Sequence, residues 1–313
     1  MSSTQALTGS IAASHVHKWL RAWYGSDVPE AVDLNVVRRM LPTTPYGKGV
    51  REIRPPVQFN DNAFEGMLAR DSTDPELWGI AYNGTVSPER QRFTIAHELG
   101  HFILHRDQRQ SFNCDKESVY SGADTIRVIE READDFASNL LMPGDLLREW
   151  ISNQRIDLHV LSALAKRFQV SFEALCIRFI KFTTQRAILV YWDNGFVKYE
   201  WRSSSAVKTR ARIRRTDDPQ EPLPGTLAAD STVEQEWDGT EMSAAIWCPE
   251  EAPHMKLREF KHSYTTGDRV LTLLLLESAE PRSWDRSWQD GESFDSFDQF
   301  VSNGQLPVRC VPR

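Results

Sequence analysis

What this 313-residue chain lacks narrows the field before any motif is read. It has no apolar run near the ~20 residues that a membrane-spanning helix needs. Its longest such run, Val270–Leu276, is strand-sized. The opening MSSTQALTGS has neither the basic start nor the apolar core of a signal peptide. Cysteine is scarce: Cys114, Cys176, Cys248 and Cys310 are widely spaced and make no zinc-finger or disulfide pattern. Positive charge is not in excess, the formal net charge being -7, which argues against wholesale nucleic-acid binding but leaves room for a local basic patch. A composition of 40% hydrophobic and 26% charged residues fits a globular protein, expected in the cytoplasm. The length suffices for two domains.

What is present centres on Gln91–His105, QRFTIAHELGHFILH, which reads as one helix. It contains His97-Glu98-Leu99-Gly100-His101, an H-E-x-x-H pentapeptide. Residues four apart share a helix face, so both imidazoles can point at one ion. Glu98 is placed to take a proton from a zinc-activated water rather than to bind the metal. The apolar flanks Phe93, Ile95, Ala96, Phe102, Ile103 and Leu104 suit a buried helix. The bland reading is a core helix whose histidines are merely hydrogen-bonded.

A catalytic zinc site normally takes three protein ligands and leaves one position open. The third is sought in a second amphipathic stretch, Ile129–Pro143, with Ala133, Phe136, Ala137, Leu140 and Leu141 on its apolar side. Glu130 and Asp134 are i and i+4 there, so Glu130 can bind the metal while Asp134 accepts the spare ring N–H of a zinc histidine. Glu132 competes for the ligand role but points about 200° away from Glu130 on an ideal helix; it reads as a solvent-exposed charge. His105 also competes, yet three successive i+4 positions span about 12 Å of straight helix, too far to converge on one ion. His105 reads as structural or substrate-facing.

RFTIAHELGHFILH followed by EREADDFASNLLMP resembles the ImmA/IrrE family of bacterial metallo-endopeptidases, over roughly Pro56 to Phe182. The resemblance implies that His97, His101 and Glu130 bind zinc and that Glu98 is the general base. It implies a substrate class too: family members typically cleave a helix-turn-helix repressor and so switch on stress, DNA-damage, mobile-element or anti-phage genes.

Around this centre the chain gives a coarse outline. Helices are expected over residues 11–25 and 32–41, then short strands at Val57–Phe59, Phe64–Arg70 and Leu77–Tyr82, forming a small antiparallel sheet. Residues 77–82 are a candidate edge strand for substrate. Arg106–Asp124 is polar and long for a structureless connection, as lids and binding loops are. Within it, Cys114 is a candidate fourth zinc ligand holding the enzyme latent, and Tyr120 a candidate polariser of the scissile carbonyl. Residues 145–182 read as helices, and 161–175 look like a helix-turn-helix, taken as a packed pair rather than a DNA reader.

The texture changes near Gln185. Ala187–Trp192 and Phe196–Trp201 flank Asp193-Asn194-Gly195, a strong hairpin signal. Further strands are expected at Val207–Ile213, Ser243–Trp247 and Val270–Glu277. Lys208, Arg210, Arg212 and Arg214 alternate along the first of these, which would give a basic face for single-stranded DNA or a nucleotide. The alternative is a solvated edge strand whose charges prevent pairing.

The expected fold is therefore α+β: a zincin-like metallopeptidase domain with a helical C-terminal part (1–184), then a smaller α+β sensor or regulatory domain (185–313), GAF-like in many family members of this length. The expected function is a Zn2+-dependent endopeptidase acting on a helix-turn-helix repressor and gated by its C-terminal domain. The competing reading is a non-catalytic DNA-binding or anti-repressor module with a structural zinc site. No membrane partner is expected.

Overall fold

The computed structural model describes residues 7–25, 27–60, 64–115, 124–215, 219–265 and 268–280. They divide into two compact units: residues up to Pro143 with Arg167–Ser171 form one, and Gly144–Lys166 with the residues from Phe172 onward form the other. The division differs from a boundary at 184. The helices between 144 and 182 pack largely with the second sheet, because their apolar faces need a sheet to cover.

In the first unit, helix α1 (Gly9–Tyr24) is capped by the Thr8 hydroxyl and α2 (Leu34–Met40) by the Asp33 carboxylate. Strands β1 (Glu52–Ile53), β2 (Val57–Phe59), β3 (Phe64–Arg70) and β4 (Leu77–Asn83) lead into helix α3 (Pro88–Leu104), followed by β5 (Ser111–Asp115) and helix α4 (Asp124–Leu141). The sheet runs β1-β4-β3-β5, with β2 also on β4. It is mixed rather than antiparallel, since β1 and β2 run parallel to β4. β4 is interior among the described residues, so residues 77–82 present no edge; one edge is β5, Ser-Phe-Asn-Cys-Asp, which lies inside the stretch that reads as a polar loop.

Helix α3 starts at Ser87, whose hydroxyl accepts from the Arg90 N–H, with Pro88 in the first turn, where its missing N–H costs nothing. It packs on the sheet through Phe102, whose ring meets Trp78 edge-on at 5.7 Å. Helix α4 presents Ala133, Phe136, Ala137, Leu140 and Leu141, all fully buried, as the apolar spacing predicts. At Gly100 an added Cβ would lie 3.0 Å from the Phe136 ring and 3.1 Å from the Ala133 backbone. That glycine lets α3 and α4 approach closely.

In the second unit, helices α5 (Gly144–Ser152), α6 (Leu158–Phe168) and α7 (Phe172–Phe182) precede an antiparallel sheet of β6 (Arg186–Asp193), β7 (Phe196–Arg202), β8 (Gln235–Ser243), β9 (Lys256–Ser263) and β10 (Arg269–Leu276). Its order is β7-β6-β10-β9-β8. Asn194 (φ 52°) and Gly195 (φ 81°) make the positive-φ turn that joins β6 to β7. One face is closed by Ile188, Val190, Trp192, Trp247 and Leu274 among other buried apolar residues. α7 buries Leu175 through Ile180, which leaves no face for a DNA groove.

Two expected strands are absent. Residues 204–208 form a short helix, α8 (Ser204–Lys208), capped by Ser203, and residues 209–215 carry no regular structure. Arg210 has φ 60°, Arg212 pairs with Glu250, and Arg214 donates to the Ala245 carbonyl. Lys208, Arg210, Arg212 and Arg214 thus share no strand face, and the basic stripe does not form. Alternating charge reads as a strand only if the backbone is extended, and the Ser203 cap turns it into a helix instead. Residues 244–247 are likewise a helical turn, α9 (Ala244–Trp247).

Candidate metal centre

The i, i+4 spacing does on α3 what the sequence predicts. His97 Nε2 and His101 Nε2 lie 2.9 Å apart. Glu130 comes up from α4, with Oε2 at 3.1 Å from His97 Nε2 and Oε1 at 3.4 Å from His101 Nε2. One donor atom from each of the three lies within 4.8 Å of the others. Two neutral imidazoles and one carboxylate fit a catalytic zinc ion, which takes N and O donors and leaves a position open.

The ring nitrogens turned away from this point are also engaged. His97 Nδ1 lies 2.8 Å from Asp134 Oδ1, and Asp134 is 1% exposed. With His97 Nε2 facing the other donors, Nδ1 carries the proton and donates it, the usual carboxylate–histidine arrangement. His101 Nδ1 lies 3.1 Å from His105 Nδ1, and His105 Nε2 lies 2.9 Å from Glu132 Oε2. The His101 ring stacks on Phe112 of β5, centroids 4.6 Å apart and planes 11° from parallel.

Electrostatics suit ligation. Burial, reinforced by the nearby His97, lowers the His101 imidazole to about 4, which keeps its lone pair available near neutral pH. Burial pushes the Glu130 carboxyl up, but hydrogen bonds from His101 and His97 outweigh it and hold the group below its ordinary range. Burial raises Asp134 to about 6, against the pull of His97.

Glu98 is fully buried beside this cluster. Opposite it on β3 is Gly66, where an added Cβ would come within 2.6 Å of Glu98 Oε1 and 2.4 Å of Thr94 Cγ2. The strand backbone runs directly against the carboxylate, and only glycine permits that approach.

His97, Glu98, His101, Glu130 and Asp134 are thus brought together. Glu132 is not a plain surface charge: it stays out of the donor set but holds His105, which at 1% exposure faces no substrate. An acid two residues past Glu130 gives no sign of that in sequence; the pairing needs both helices in place. Gly66 was equally silent. Cys114 sits on β5 with its backbone opposite Gly66, while its side chain lies outside the described residues. Tyr120 lies wholly outside them.

Residues 59–179 match the family model for the IrrE N-terminal-like domain, Peptidase_M78. Over this stretch the chain is similar to the ImmA/IrrE family. The IrrE-like segment is 36% identical over 116 residues to the radiation response metalloprotease IrrE of Deinococcus radiodurans, covering 37% of this chain and 32% of that protein. It is 38% identical over 109 residues to the protein of the same name from Deinococcus deserti, covering 34% of this chain and 38% of the relative. The chain thus spans about a third of the length of the curated relatives it matches. A Mycobacterium tuberculosis transcriptional regulator aligns over 88% of this chain and 93% of its own with a TM-score of 0.44 at 14% identity, too low to establish a shared fold. No described helix is long and apolar enough to cross a membrane.

Proposed function

We propose that this IrrE-like chain is a zinc-dependent endopeptidase. The observation that carries the reading is the convergence of His97, His101 and Glu130 donors within 4.8 Å, with the buried Glu98 carboxylate alongside. Zinc in that donor set would supply the Lewis acidity that makes a water nucleophilic near pH 7. Glu98, held against Gly66, takes a proton from the attacking water and delivers it to the amine nitrogen as the peptide C–N bond breaks. Asp134 fixes the His97 ring and its tautomer.

The resemblance to ImmA/IrrE proteins supports a helix-turn-helix repressor as substrate, in the cytoplasm, with the second unit regulating cleavage. The terminal strand β5, whose Phe112 stacks on His101, is the edge to which an extended substrate segment would add. Among the described residues three donors converge, the number a catalytic zinc site takes, whereas a structural site is closed by four protein ligands.

The test is to incubate the zinc-loaded chain with the repressor encoded beside its gene, in wild type and Glu98→Gln. Cleavage should fall by at least ~100-fold in the variant while bound zinc stays stoichiometric. Equal cleavage by both proteins would overturn the reading.

A further inference from the structure

In the second unit, strand ends and the segments beside them enclose a cleft of about 320 Å3. Its charged lining is Arg155 from the turn after α5, Glu241 of β8, Lys256 and Arg258 of β9, and Glu277 just past β10. Lys256 engages both acids, one through its charge and one through its backbone. Lys256 Nζ pairs with Glu241, and the Lys256 backbone N–H donates to Glu277 Oε2 at 3.0 Å.

Arg258 donates from Nη2 to the Ile156 carbonyl at 3.0 Å, and its Nη1 is buried with no acceptor among the described residues. Burial and then the charge of Arg155 both lower the pKa of Arg258. Asp157, the acid that opposes this, spends Oδ1 on the Val160 N–H at 2.8 Å. The fold has therefore set two like charges near each other at this cleft, a repulsion that a bound anion would relieve.

We propose that this cleft binds a phosphate group, with Arg258 and Arg155 donating to its oxygens. Planar guanidinium forks match phosphate oxygens two at a time, and Arg258 is held in place by the Ile156 carbonyl and by the Phe260 ring, 5.0 Å from its guanidinium carbon. The volume lies at the small end of ligand pockets, which suits free phosphate or a small phosphomonoester. Leu257, Leu275 and Leu276 also line the cleft, beside any organic remainder of the ligand. The proposal is independent of the peptidase reading.

Calorimetric titration of the full chain with inorganic phosphate and with AMP, at constant ionic strength, tests it. Saturable one-to-one binding of at least one is expected, weakened about 10-fold or more in Arg155→Ala and in Arg258→Met. Tighter binding of AMP identifies a phosphoester as the ligand, and equal or tighter binding of phosphate identifies the free ion. Because Arg155 is exposed, its alanine variant should melt at the wild-type temperature, so the test stands even if Arg258→Met does not fold. No saturable binding of either compound, or wild-type affinity in Arg155→Ala, overturns the proposal.

Discussion

His105 Nδ1 stands 3.1 Å from His101 Nδ1, and the two rings can share only one proton between those atoms. His101 turns Nε2 toward the Glu130 carboxylate, so its proton belongs on Nδ1 and is donated to His105. His105 then carries its own proton on Nε2, where Glu132 Oε2 accepts it at 2.9 Å. Glu132 and His105 thus set the tautomer of one metal-facing histidine, as Asp134 sets the other.

Replacing His105 should weaken zinc binding without removing a donor. His105→Phe is expected to raise the zinc Kd about 10- to 100-fold, while His105→Asn, which can place an acceptor near the lost Nδ1, should recover part of it. Competition with a colorimetric chelator reads this directly. Equal affinities in Phe, Asn and wild type would show that the ring only fills space.

Removing Glu130 should remove the metal. Glu130→Ala is expected to lose stoichiometric zinc, and zinc should no longer raise its melting temperature. In the wild type, free zinc at 100 times Kd should stabilise the fold by about 2.7 kcal/mol. Scanning calorimetry with and without zinc measures both.

Gly66→Ala should act on turnover rather than on metal. The new methyl would press on Glu98 Oε1 and Thr94, displacing the carboxylate by some tenths of an ångström or more. A fall in kcat of roughly 10- to 100-fold with unchanged zinc content is expected, since a general base misplaced by about 1 Å costs on that order. A variant with normal kcat would show that Glu98 has room to move.

Glu173 makes the stability of the second unit depend on pH. Burial raises its carboxyl to about 8 from the ordinary 4.5, only partly opposed by Arg269 and Lys198, and its Oε1 is buried without a hydrogen-bond partner among the described residues. Because the folded-state pKa is the higher one, the fold holds the proton more tightly than the unfolded chain does. Its contribution is full below about 4.5 and is lost as pH rises toward about 8. The melting temperature of wild type relative to Glu173→Gln should therefore decline from pH 5 to pH 8 and level off above. A flat difference across that range would place Glu173 in water.

The sequence by itself determined the parts of this protein that depend on local periodicity. Histidines four apart on one helix must share a face, Glu130 and Asp134 must share another, and Asn194-Gly195 must turn. Those relations follow from 3.6 residues per turn and from the φ that asparagine and glycine tolerate, whatever the surroundings. The tertiary structure alone decided which helix faces meet. It placed Glu132 on His105, ran the Gly66 backbone against Glu98, put β5 at a sheet edge, and gave the helices from 144 to 182 largely to the second sheet. It also turned the alternating basic residues after 207 into a helix end and an irregular segment. Alternation is compatible with more than one backbone, and only contacts between residues far apart in the chain select among them.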